Sequence, residues 1–143
     1  MLLTRECDYG IRIIRALSCG TKKNIDVISD EEHIPQKYAY KIIKKMVRAG
    51  LVSSMRGRIG GYNLNKPLTE FNLYDIVVAI GDDRYIKDCL KPDFVCPFRE
   101  NPDNMCTVHG EIASVQDIIM VALCKKTMAE ILNPKEDTNV TKK

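Results

Sequence analysis

Apolar residues fall at helical spacing in the opening stretch of the chain, where Leu3, Cys7, Ile11, Ile14 and Leu17 share one face. Thr4 is placed to cap this helix and Gly20 to stop it. A short helix over about Asp26 to Glu32 follows, with Asn24 near its start. His33-Ile34-Pro35 then makes a tight connection. Proline pushes the residue before it out of the helical region and itself suits a first helical turn. The next helix is predicted to run to about Ala49 and to stop at Gly50. Ala39, Ile42, Ile43, Met46 and Val47 give it an apolar stripe, and Lys37, Lys41, Lys44, Lys45 and Arg48 occupy the opposite side. After Gly50 the period shortens. "LVSSM" and "GYNLN" read as two strands joined by "RGRIG", a hairpin with Arg56 and Arg58 at its tip.

A further helix is predicted from near Asn72 to Gly81, with Ile76, Val77 and Ile80 closing a core. From Asp82 to Gly110 no period is sustained, and Pro92, Pro97 and Pro102 break the backbone. A long helix is then expected over about Glu111 to Lys126. Ile112, Val115, Ile119 and Ala122 form one stripe, which Ile118, Met120, Val121 and Leu123 widen almost all the way round. One small domain covers one face of such a helix, so a second copy across a twofold seam is expected to cover the other. "TMAE" at 127–130 has the pattern of a capping box, and a short helix should follow it. The fold class is mainly α with a small β-hairpin wing. Residues 1–81 form a winged helix-turn-helix domain, 82–110 a cysteine-bearing loop, 111–133 a dimerisation helix with a short terminal helix, and 134–143 a polar, disordered tail.

Charge sharpens this picture. Residues 1–70 hold 13 Lys/Arg against 7 Asp/Glu, and residues 71–143 hold 9 against 12, within a total of +3 over 143 residues. A basic first half suits a polyanion-binding module. Solvated helix faces usually mix signs, whereas the helix before Gly50 carries five positive charges and no acid. In a winged helix-turn-helix that helix enters the major groove, and the wing reaches the backbone or minor groove. No apolar run approaches bilayer-spanning length, and the charged N-terminus lacks a signal-peptide core, so a soluble cytoplasmic protein is expected, with no membrane partner. No phosphate loop or nucleophile elbow is present, which argues against an enzyme.

The irregular stretch carries the candidate chemistry, Cys89-x6-Cys96-x9-Cys106-x2-His109. Thiolates are soft ligands that suit iron–sulfur clusters, zinc and copper(I), and proline-broken backbone can wrap around a centre that supplies its own order. Structural zinc in a Cys₃His site and a metal-free thiol–disulfide switch are the alternatives. Cys7, Cys19 and Cys124 are expected to be small buried hydrophobes.

Four segments carry a family likeness: "LTRECDYGIR", "IPQKYAYKIIKKMVRAGLVSSMRGRIGGYNL", "LYDIVVAI" and "TMAEIL". Across residues 1–133 the chain resembles the Rrf-type winged-helix regulators of bacteria, the group of the iron–sulfur assembly repressor and the nitric-oxide-sensing repressor. The resemblance implies a dimeric transcriptional regulator that binds a double-stranded DNA operator. It makes Tyr38, Tyr40 and Lys41 groove-facing residues of the reading helix, beside Lys37 and Lys44, and Arg56 a wing arginine in the minor groove. Tyr40 stands where the assembly repressor has an acid that restricts which operators it accepts. Many members hold an iron–sulfur cluster on three cysteines before the dimer helix, and Cys89, Cys96 and Cys106 match them, with a longer last gap. His109 matches the fourth ligand of the 2Fe–2S assembly repressor. Asp8 resembles the first-helix acid that 4Fe–4S relatives use from the partner subunit, and 2Fe–2S is favoured. Such a centre implies sensing of iron, redox state or nitric oxide.

Overall fold

The computed structural model describes residues 3–58, 60–81, 84–98 and 106–133. Six helices and one hairpin follow in the expected order: α1 (Arg5–Leu17), α2 (Ile25–Glu32), α3 (Gln36–Arg48), β1 (Val52–Met55), β2 (Gly61–Leu64), α4 (Leu73–Ile80), α5 (Thr107–Cys124) and α6 (Met128–Leu132). Local chemistry explains most ends. The Thr4 hydroxyl accepts from Cys7 N, and Asn24 Oδ1 accepts from Val27 N at 2.9 Å. Asn72 with Asp75, and Thr127 with Glu130, form complete capping boxes. The tail from 134 to 143, expected to be disordered, lies outside the described residues, as does Pro102.

One core holds the winged domain together. Ile13, Ile14 and Leu17 of α1, Ile28 of α2, Ile42, Ile43 and Met46 of α3, and Ile76 and Ile80 of α4 are all buried. Each is a large side chain, worth about 1.5–3 kcal/mol in removal from water. Gly10 lets α1 and α4 cross closely, since a Cβ there would stand 1.9 Å from Ile80 Cδ1. The hairpin is antiparallel with Val52 opposite Leu64 and Met55 opposite Gly61. Its second strand gains an unforeseen partner, because Tyr62 N donates to Lys23 O at 2.8 Å and Lys23 N to Tyr62 O at 3.2 Å. The basic turn between α1 and α2 therefore anchors the wing.

An ion pair fixes the first helix against the second. Arg15 Nε donates to both Glu32 carboxylate oxygens, at 3.1 and 3.2 Å, and Arg15 Nη2 also bonds Glu32 Oε2. Arg12 Nη1 donates to the Glu32 carbonyl. Glu32 is only 7 % exposed, and this fork satisfies both of its carboxylate oxygens. Replacing Arg15 by Ala is expected to destabilise the fold by about 2–3 kcal/mol, the cost of a nearly buried carboxylate left without its cation. The shift of the urea unfolding midpoint measures it. A change within the scatter of ordinary surface substitutions would show that the pair contributes nothing.

The second half differs from expectation in three ways. First, α5 starts at Thr107, one turn earlier than predicted, so His109 is helical and Cys106 is the N-cap. Second, its faces divide otherwise than the sequence suggested. Ile119 packs on the core and Ile112 is half-buried, while Val108, Val115, Ile118 and Val121 lie exposed. Third, α5 is long and apolar enough by length and composition to cross a membrane, which corrects the expectation that no run approaches that length. Gln116 argues for a different role. It is buried, its Oε1 accepts from Ile86 N at 2.9 Å, and its Nε2 donates to Arg84 O at 3.0 Å. These bonds pin the start of the cysteine segment to α5. The chain then returns to the winged domain through α6, where Met128 N donates to Phe71 O at 2.7 Å.

Candidate nucleic-acid interface and cysteine centre

Helix α3 buries Ala39, Ile42, Ile43 and Met46 and turns Lys37, Tyr38, Tyr40, Lys41 and Lys44 outward. Its amphipathic period dictates this division. Tyr38 and Tyr40 are each 48 % exposed, unusual for large aromatic rings. Tyr38 leans on Tyr9 of α1 at 6.1 Å between centroids, and Lys44 Nζ lies 4.2 Å above the Tyr40 ring. Arg56 and Arg58 are exposed at the wing tip, where Gly57 has φ +127°. His33 ends α2 in the left-handed region at φ 52°, its N–H donating to Ser29 O, so its place is a helix stop inside the helix-turn-helix.

The five positive charges of α3 are not equivalent. Glu6, in the first turn of α1, accepts from Lys41 Nζ at 2.5 Å and from Lys45 Nζ at 3.1 Å. Lys45 also donates to Ile80 O at 2.8 Å, the carbonyl end of α4. Lys45 is thus turned inward, whereas Lys37, Lys44 and Arg48 remain exposed. The bonds from Lys41 and then Lys45 hold the Glu6 carboxyl below its ordinary value of 4.5. Because the folded value is depressed, the stabilisation is complete above the ordinary value and is lost as pH falls through the folded one. The one-signed pattern within α3 concealed this acid, which comes from 35 residues away.

The cysteines fall into two groups. Cys7 is fully buried, as expected, but Cys19 and Cys124 are exposed, because α1 ends at Leu17 and Cys124 closes the last turn of α5. A hydrogen bond from Thr21 lowers the Cys19 thiol pKa. Cys89, Cys96 and Cys106 are half-buried thiols. Cys89 lies in a 3-10 turn, Asp88–Leu90, that packs against α5, and Cys106 opens α5 itself. His109 follows one turn on, its N–H donating to Cys106 O at 3.2 Å.

Among the described residues no three of His, Cys, Asp or Glu stand together closely enough to hold a metal ion, so Cys89, Cys96, Cys106 and His109 do not form one coordination shell in this structure. The donor set nevertheless fits a soft metal centre. His109 Nδ1 is buried with no hydrogen-bond partner among the described residues, an unsatisfied nitrogen of the kind a metal would use. Asp8 is exposed on α1 and pairs with Arg12 at 2.9 Å. Gln116, which holds the segment leading to Cys89, escaped sequence analysis; a lone amide in the apolar run of α5 was its only signal.

Comparison with known proteins agrees with this architecture. The HTH-type transcriptional regulator NsrR of Bacillus subtilis (strain 168) is 25 % identical over 147 residues, covering 96 % of this chain and 94 % of the relative. Among solved structures, T. potens IscR superimposes with a TM-score of 0.70 at 21 % identity, covering 99 % of this chain and 93 % of that one. CymR, the global cysteine regulator of B. subtilis, gives 0.71 at 18 % identity, covering 94 % and 98 %. The model of the Rrf2 family, described as iron-dependent transcriptional regulators, matches residues 3–134. The chain therefore belongs to the Rrf2 family of winged-helix transcriptional regulators, and not to a family of enzymes.

Proposed function

We propose that the protein is a cytoplasmic, homodimeric regulator that binds a double-stranded DNA operator under control of an iron–sulfur cluster. The observation that carries the DNA reading is the outer face of α3, where Lys37, Tyr38, Tyr40, Lys41 and Lys44 stand exposed beside Arg56 and Arg58 of the wing. The tyrosine rings offer apolar edges to bases, and the cations neutralise phosphates. The exposed side of α5 is where a second copy packs, so that two reading helices face a palindromic site with half-sites about 34–36 Å apart. Removing Arg56 (Arg56→Ala) is expected to weaken operator binding by about 1–3 kcal/mol if it reads a base edge. Titration of labelled duplex measures this, and binding that ignores ionic strength would refute the whole interface.

Cys89, Cys96 and Cys106 are the proposed cluster ligands, and the unsatisfied Nδ1 of His109 supports it as the fourth, with Asp8 of the partner subunit's α1 as the rival. A cluster of this kind would supply a centre responsive to iron, redox state or nitric oxide, with 2Fe–2S favoured by the match of His109 to the fourth ligand of the 2Fe–2S assembly repressor. The protein's own part is to hold the donors. Gln116 fixes the backbone at Arg84 and Ile86, the turn at Asp88–Leu90 rests on α5, and Cys106 caps that helix. The thiols therefore sit between the reading domain and the dimer helix.

Structural zinc or a thiol switch is the second reading: a Cys₃His set also suits zinc, and CymR, a structural neighbour, is described as a cysteine regulator. Protein purified without oxygen decides between them. Iron with acid-labile sulfide supports the cluster. Stoichiometric zinc without sulfide, or a disulfide without metal, replaces it and leaves the DNA reading intact.

A further inference from the structure

On the outer face of the reading helix, one exposed lysine has its charge already engaged by another element. Lys41 lies among the exposed tyrosines of α3, with a side chain 56 % exposed, yet its ammonium is 2.5 Å from Glu6 of α1. Glu6 itself is only 27 % exposed and is braced by Lys45, which is held in turn by the Ile80 carbonyl. The acid is thus part of a junction between α1, α3 and the end of α4, and cannot swing clear as a free surface side chain would. We propose that Glu6 is a specificity-determining residue, which engages Lys41 internally so that DNA phosphate must displace a carboxylate to recruit it.

This rests on the reading of α3 as the DNA-contacting helix. Sequence-independent binding comes almost wholly from phosphates neutralised by Lys and Arg. A lysine committed to Glu6 adds little to that background. On a correct operator, contacts from Tyr38 and Tyr40 to the bases offset the exchange of carboxylate for phosphate, so the pair penalises wrong sequences more than the right one. Lys44 and Lys37, which have no such acid among the described ion pairs, contribute on every sequence.

The test uses a random-sequence duplex, titrated from about 50 to about 200 mM salt. Glu6→Gln is expected to bind it several-fold more tightly, with the log–log salt slope steeper by about 0.9, the value of one added phosphate contact. Adding Lys41→Gln to that variant should erase the gain. Lys41→Gln alone should cost the wild-type chain much less random-duplex affinity than Lys44→Gln does, a measurement that does not need the Glu6 variant to fold. An unchanged slope in folded Glu6→Gln protein overturns the proposal, as does a gain that survives loss of Lys41, or equal costs for the two single lysine variants. Wild-type binding that is itself independent of salt overturns the DNA reading on which the proposal stands.

Discussion

Replacing Ile118 by Asp is expected to make the protein monomeric while leaving each chain folded. Ile118 is 69 % exposed and Val121 70 % exposed in the isolated chain, on a face shared with Val108 and Val115. A soluble regulator seldom leaves so continuous an apolar face to water, and the rest of the described chain covers the side bearing Gln116, Ile119 and Leu123. Twofold symmetry would place the new carboxylate in the seam twice. An unpaired buried charge costs several kcal/mol even after relaxation, about two orders of magnitude or more in dissociation constant. Sedimentation reads the association state, and thermal unfolding followed by circular dichroism reads the fold. Ile119→Asp provides the contrast. Ile119 packs on its own chain's core, so that variant should lower the unfolding temperature as well. Wild-type protein that sediments as a monomer at micromolar concentration would remove the interface from this face.

Changing Cys96 to Ser should abolish the visible absorption, iron and acid-labile sulfide of anaerobically prepared protein. Serine is a harder, less acidic donor and holds iron poorly at a thiolate position. Cys96 lies in sequence between Cys89, in its turn on α5, and Cys106, at the helix start. The same result is expected at Cys89 and Cys106. Cys19→Ser and Cys124→Ser serve as controls, because those exposed thiols lie at the ends of α1 and α5, outside the segment. His109→Ala should shift the spectrum if its buried Nδ1 is the fourth ligand, and Asp8→Ala should do so instead if the partner subunit supplies it. Full iron and sulfide retained in Cys96→Ser would exclude that thiol.

These two variants probe different kinds of knowledge. The element order, the Thr4 and Asn24 caps, the box at Thr127 and Glu130, and the buried stripe of α3 were all legible in the sequence. Each depends on residues within about four positions of one another, and local hydrogen bonds and helical periodicity suffice to write them. The three thiols were legible as soft ligands from their chemistry alone, and the outward tyrosines of α3 from the family resemblance.

What only the tertiary structure decided involves partners far apart in sequence. Glu6 meets Lys41 and Lys45 because α1 packs across α3, and nothing near either residue announces the meeting. Lys23 joins the wing through Tyr62, and Gly61 is needed there because a Cβ would stand 2.9 Å from Lys23 O. Along α5 nearly every side is apolar, so periodicity could not say which residues face the core. Packing against α4 and the Gln116 bonds set the rotation, turning Ile119 inward and Ile118 outward. A local pattern states that a face must be covered; the neighbour that covers it is chosen by the path of the whole chain.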